Sequence, residues 1–211
     1  MRMRAADIAT VVRVLLAVAI AYMILAKFSA LAVIILIAVV ISLDAFDGFL
    51  AVSEESRGRF SLTSYIRALL GNRRLSRQAS AIKHRIAKSA KHGARMDVGG
   101  DRAVEYIFWM VFTYLNIVPL FVMALVIIRH SFVDAVMGSK GTSSKMKTGF
   151  AKAVYSSNLG RGGINVLKFL TFSYLALVYI SGYPLMAGYI LTAFLVVYIM
   201  ARGAAELYES M

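Results

Sequence analysis

Residues 30–49 read ALAVIILIAVVISLDAFDGF, and what this stretch becomes decides the fold. Its first half is an unbroken apolar run of the kind that crosses a bilayer as a helix, which takes roughly 20 residues because each backbone amide must find its partner within the segment. Its second half places Asp44 and Asp47 directly at the end of that run. One carboxylate at a membrane boundary can snorkel to water. Two carboxylates three residues apart, with Gly48 behind them, point to a positively charged species held in place.

The rest of the chain repeats the apolar theme. It has 211 residues, 60% of them hydrophobic, and two prolines, a composition outside that of an ordinary soluble domain and inside that of a helical membrane protein. Six spans are predicted, at about 8–26, 30–50, 98–115, 118–136, 166–182 and 185–203. The third and fourth are separated at Asn116 and Pro119, and the last two at Gly182 and Pro184. The opening MRMRAAD leads into a segment that contains Arg13 and lacks a small-residue cleavage site, so it reads as a retained helix and not a signal peptide. There is no cysteine, which excludes disulfides and thiolate metal sites. The expected fold is an all-α integral membrane protein forming a single domain over 1–211, with six transmembrane helices and a basic amphipathic cytoplasmic insertion, 53–96, between the second and third.

The formal charge is +13, and its distribution is more informative than its size. The connections Lys27–Ser29, Asn116–Pro119 and Ser181–Pro184 hold one basic residue among them. Residues 53–96 carry Arg57, Arg59, Arg67, Arg73, Arg74, Arg77, Lys83, Arg85, Lys88, Lys91 and Arg95, and residues 137–168 carry Lys140, Lys145, Lys147, Lys152, Arg161 and Lys168. The positive-inside bias then puts both long loops and both termini in the cytoplasm, in agreement with an even number of spans. A basic run such as GNRRLSRQASAIKHRIAKSAKHGAR also suits a nucleic acid. Anionic headgroups are nearer, each worth about 1 kcal/mol per Lys or Arg, so the partner expected is anionic lipid and not nucleic acid. Ile66, Leu69, Leu70, Leu75, Ala79, Ile82 and Ile86 recur near helical spacing within the run, which predicts an amphipathic helix on the membrane surface; a disordered basic loop is the other reading. His84 and His92 read as solvated.

Past the insertion the chain resumes as HGARMDVGGDRAVEYIFWMVF, with Asp97 and Asp101 four apart at the entrance of the third span. Spacings of three and four put side chains on one helix face. The second span runs toward the cytoplasm and the third away from it, so both acidic pairs lie at one depth. If the two helices are neighbours, four carboxylates converge, and unneutralised they would repel in a low dielectric. Divalent cations resolve that conflict, and an oxygen-only donor set favours Mg²⁺, Mn²⁺ or Ca²⁺ over zinc. The competing reading is that Asp44 and Asp47 cap the loop while Asp97 and Asp101 cap the third helix.

Asp44-Ala-Phe-Asp47-Gly48-Phe-Leu-Ala51, followed by Gly93-Ala-Arg-Met-Asp97-Val-Gly-Gly-Asp101, resembles the signature D-x-x-D-G-x-x-A-R … G-x-x-x-D-x-x-x-D of the CDP-alcohol phosphotransferases, closest to members that make phosphatidylglycerol phosphate or phosphatidylinositol phosphate. Thr10-Val-Val-Arg13 is similar to the T-x-x-R found at the start of that family's first helix, and VIIRHSFVDAV weakly resembles its fourth. Two departures stand out: Val52 occupies the arginine position, and a spacer of forty residues, 53–92, replaces about eight. Arg57 or Arg59 is a candidate for the missing charge.

The resemblance implies transfer of a phosphatidyl-type group from a CDP-linked lipid to an alcohol, with release of CMP. It implies two Mg²⁺ or Mn²⁺ ions on Asp44, Asp47, Asp97 and Asp101, Ca²⁺ substituting or inhibiting, and Asp101 as base on the acceptor hydroxyl. Gly48, Ala51 and Gly93, with Asp44, Thr10 and Arg13, would hold the CDP moiety; the small residues also suit close helix packing. A phosphate-bearing acceptor would use Arg129, His130, Lys145 and Lys152, with Lys147 and Arg161 nearby, although lysines there also follow from topology alone. The family further implies a homodimer, an inner (plasma) membrane location and a cytoplasmic-side site. Two other classes fit part of the pattern: a divalent-cation transporter or channel built on the four carboxylates, and a lipid-binding scaffold recruiting partners through 53–96.

Overall fold

The computed structural model describes residues 5–56, 60–69, 74–79, 81–82, 93–140 and 158–210, of which 5–6, 44–48, 50–51, 54, 69, 93–97, 137–140, 158–161 and 209–210 are described by backbone alone. Every regular element among them is a helix. In chain order these are α1 (Ala5–Leu25), α2 (Ala30–Glu55), α3 (Leu62–Leu69), α4 (Gly93–Tyr114), α5 (Leu120–Lys140), α6 (Asn158–Ser181) and α7 (Leu185–Ser210), with further helical turns over 74–79 and 81–82.

Among the described residues three helices are long and apolar enough to cross a membrane, Asp7–Leu25, Gly162–Ser181 and Leu185–Tyr208, and Ala30–Leu43 is a shorter apolar helix. The distribution of polarity agrees with a membrane protein. Large apolar side chains such as Ile8, Val12, Leu15, Leu31, Phe121, Phe194 and Val197 are exposed, whereas Arg13, Glu105, Arg129, His130 and Glu206 are buried. Charge inside and hydrocarbon outside is the arrangement that lipid selects, because an ionised group facing acyl chains has no solvation.

All six expected spans coincide with helices, but the helices are longer. α2 continues past its apolar run to Glu55, α4 begins at Gly93 and α6 at Asn158. Hydropathy marks where lipid contact ends, whereas a helix ends only where its i→i−4 ladder is broken. The tight breaks are at the three connections picked out by low charge. Lys27 (φ 50°), Asn116 (φ 56°) and Gly182 (φ 71°) take the left-handed conformation that closes a helix C-terminus. Around the first, the N–H of Phe28 donates to the carbonyl of Met23 at 2.9 Å, and around the second the N–H of Ile117 donates to that of Phe112 at 3.0 Å. Lys27 also sits 4.9 Å from the centre of the Tyr179 ring, a cation–π contact that helps a residue with a Cβ hold the strained turn.

The helices divide into two compact units, residues 1–19 with 38–105, and residues 20–37 with 106–211. The second has an aromatic core: Phe108, Trp109 and Phe112 of α4 gather about Phe172 of α6, at ring separations of 5.0, 5.2 and 6.3 Å. In it α7 packs against both α5 and α6. A Cβ on Gly188 would come within 3.1 Å of Leu175 Cδ2, so a small residue sets the α6–α7 approach, and the Thr171 hydroxyl donates to the carbonyl of Leu167 at 2.8 Å.

The first unit contains what is described of the insertion. Ser61 caps α3, its Oγ accepting from the N–H of Ser64 at 3.2 Å. Val52, Phe60, Tyr65 and Ala79 form a buried cluster, with Phe49, Leu75 and Ile82 packed against it. Of the apolar positions expected on an amphipathic helix, Ile66 is exposed on α3, whereas Leu75, Ala79 and Ile82 pack with Val52 and Phe49 of α2. The reason is local: Val52 and Phe49 offer an apolar face that competes with lipid for the same side chains. Leu70, Ile86, His84, His92, Arg57 and Arg59 lie outside the described residues.

Candidate carboxylate site

Thr10 and Arg13, three apart on α1, share one face and are both buried. They face the start of α4. A Cβ on Gly100 would land on the Thr10 methyl group, so any other residue at this position would force Thr10 or the α1–α4 approach to shift. The adjacent Asp101 receives Arg13: Nη2 lies 2.6 Å from Oδ1, with the arginine side chain 2% exposed and the aspartate 37%. A guanidinium buried to that extent needs an anionic partner, since an uncompensated charge there costs several kcal/mol. The pair is asymmetric. Arg13 is its buried, fixed end and Asp101 its open end, which is where a reactant can reach a carboxylate.

The remaining site residues are described by backbone. Asp44, Asp47, Gly48 and Ala51 lie within α2, and Gly93 and Asp97 within α4. Helix limits weigh against the capping reading. An N-cap acts on the first turn of the helix that follows it, yet α2 runs on beyond Asp47 to Glu55, and α4 has begun at Gly93, so Asp97 is past the first turn and Asp101 deeper still. The stretches that carry Thr10 and Arg13, Asp44 to Ala51, and Gly93 to Asp101 all belong to the first compact unit. Among the described residues no three His, Asp or Glu side chains cluster as a metal site; three of the four aspartates have no described side chain. The donor chemistry fits a hard divalent cation, being four carboxylates in a chain without cysteine.

The second unit holds a separate buried charge cluster. Arg129 on α5 donates through Nη1 to Nδ1 of His130 at 2.8 Å, so that ring nitrogen is the acceptor. Its Nη2 donates to Oε2 of Glu206 on α7 at 3.0 Å, and Arg202 Nε stands 3.8 Å from Glu206 Oε1. The Tyr106 ring is 5.7 Å from that of His130. Gly203 makes room for this, since a Cβ there would be 2.5 Å from Arg129 Nε. Of the basic residues expected to face an acceptor, Arg129 and His130 are thus brought together and balanced by a carboxylate; Lys145, Lys147 and Lys152 lie outside the described residues, and Arg161 is described by backbone alone. Sequence reasoning missed Glu206 and Gly203. Their signal was present in ARGAAELYES, a glutamate four residues after an arginine beside a small residue.

No protein-family model, curated protein or solved structure matches the chain.

Proposed function

We propose that this protein is a membrane-embedded phosphotransferase of the CDP-alcohol type, which moves a phosphatidyl-type group from a CDP-linked lipid to an alcohol and releases CMP. The observation that carries the reading is the Arg13–Asp101 pair beneath Gly100, because it joins two parts of the motif, Thr10-x-x-Arg13 and Gly-x-x-x-Asp97-x-x-x-Asp101, that the sequence alone leaves apart. In this reading six helices cross the inner membrane, 53–96 lies on the cytoplasmic side, and the chain acts as a dimer.

Asp44, Asp47, Asp97 and Asp101 would hold two Mg²⁺ or Mn²⁺ ions. Such ions, when bound, neutralise charge developing on a diphosphate and make CMP a competent leaving group. Asp101 takes the proton from the acceptor hydroxyl as its oxygen bonds to the lipid-linked phosphorus and the phosphorus–oxygen bond to CMP breaks. Arg13 is a positioning residue: its guanidinium, set against Asp101 Oδ1, fixes the orientation in which the carboxylate meets the acceptor. Gly48, Ala51 and Gly93 leave space for the cytidine beside the backbone. Arg129, held by Glu206, with His130 and the lysines of 140–152, provides cationic character for a phosphate-bearing acceptor.

The test is CMP release by purified protein from a CDP-linked diacylglycerol with Mn²⁺ or Mg²⁺, across glycerol phosphate, inositol phosphate and serine. Asp101→Asn is expected to bind the CDP-lipid and lose release by on the order of 10²–10⁴-fold. A cation transporter or a scaffold would release no CMP with any acceptor, and that result removes the enzyme reading.

A further inference from the structure

The insertion and the loss of the family arginine look like separate departures, but the cluster around Val52 joins them. Val52 is fully buried, with Phe60, Tyr65 and Ala79 against it, and Tyr65 lies 5.7 Å from Phe49 and 6.5 Å from Phe60, ring centre to ring centre. An arginine at 52 would put a charge into that cluster, so Val52 is what allows Phe60, Tyr65, Leu75, Ala79 and Ile82 to pack onto the end of α2 as a cap.

The cap uses only one face of α3. Tyr65 and Ala68, three apart, are buried at 4% and 5%, while Leu62 and Ile66, four apart, are 43% and 44% exposed. At 100° per residue the second pair lies about 110° around the helix from the first, so these are two distinct apolar stripes. Arg67, Arg74 and Arg77 are exposed on the same cap. The acidic residues of 53–96 are Glu54 and Glu55, against eleven Lys and Arg. A short apolar stripe set among cations is the pattern of a surface that enters a negatively charged lipid interface. Height along α2 agrees: Phe49 and Val52 are about 9 and 14 Å beyond Leu43 at 1.5 Å per residue, just past a headgroup layer roughly 5–8 Å deep, so side chains of the cap are within reach of it.

We propose that residues 60–69, 74–79 and 81–82 form a cap seated on Val52 that docks Leu62 and Ile66 into the anionic headgroup layer of the bilayer holding the protein, with Arg67, Arg74 and Arg77 supplying the charge. This stands independently of the enzyme reading.

The chain has no cysteine, so single thiols report cleanly on a water-soluble maleimide. Full-length Ile66→Cys and Ala68→Cys proteins are reconstituted in vesicles of zwitterionic lipid, with or without anionic lipid. Ile66→Cys is expected to react more slowly in anionic vesicles by on the order of a hundredfold, three arginines contributing about fivefold each. Arg67→Glu, Arg74→Glu and Arg77→Glu together should abolish the difference. Ala68→Cys should be slow in both and become fast when combined with Val52→Arg. The proposal is overturned if Ile66→Cys reacts fast in both vesicles, if it is slow in both and so covered by protein, if added RNA protects it where anionic lipid does not, or if Ala68→Cys is fast without Val52→Arg.

Discussion

A methyl group at position 100 would decide how α1 and α4 meet. Gly100 abuts the Thr10 side chain, and that approach delivers Arg13 to Asp101 at 2.6 Å. Gly100→Ala should cost about 1–3 kcal/mol, as overpacking of a tight contact does, and should weaken CMP release by moving Asp101. Combined with Thr10→Ala, which removes the obstructing methyl, part of the loss should return, and thermal denaturation of the single and double variants measures that non-additivity. The participants were partly legible beforehand. Asp101 follows from its spacing to Asp97 on a single helix, which the 3.6-residue period fixes, whereas Thr10 and Arg13 were singled out only by the resemblance of Thr10-Val-Val-Arg13 to a known motif. The contact that gives Gly100 its meaning depends on the register between two helices far apart in sequence, and no local pattern encodes it.

At the scale of elements, the α5–α7 junction is built on a buried ion pair. Arg129 and Glu206 meet at 3.0 Å with side chains 5% and 6% exposed. Glu206→Ala leaves a buried guanidinium without its carboxylate and should cost roughly 3–5 kcal/mol, read as a lowered Tm in detergent. Arg129→Met with Glu206→Leu should be less harmful than Glu206→Ala alone, because removing both charges removes the desolvation problem. If activity stays lost in that stable double variant, Arg129 acts on the acceptor as well as on the fold. The same scale shows where reading from sequence falls short. The spans at 30–50 and 98–115 were legible as apolar runs, but α2 and α4 extend through the charged residues beside them. Those extensions, 51–55 and 93–97, add Ala51, Gly93 and Asp97 to the helices that carry Asp44, Asp47 and Asp101, so the boundary between lipid and water, which hydropathy reports, is not the boundary of the helix that positions the site.

For the whole molecule, the three left-handed turns at Lys27, Asn116 and Gly182 should share one side of the membrane, and the cap the other. Phe28→Cys and Tyr183→Cys, both at exposed positions, should label from the outside of intact cells, and Arg77→Cys only after permeabilisation. Labelling of all three from one side would exclude six spans. The all-helical character and the low-charge turns were readable from composition and charge placement. The Val52 cluster was not, because an insertion rich in arginine conceals a few apolar residues that find each other only in three dimensions.

The central claim is that two acidic couples on α2 and α4 converge on a pair of divalent cations, and manganese electron paramagnetic resonance on the purified protein tests it most directly. The expected result is two Mn²⁺ ions per chain with the exchange-coupled spectrum of metals roughly 3.5–4 Å apart, reduced to one uncoupled ion or none by either Asp44→Asn or Asp97→Asn. Uncoupled manganese in the intact protein, or a coupled pair that survives both substitutions, would contradict it.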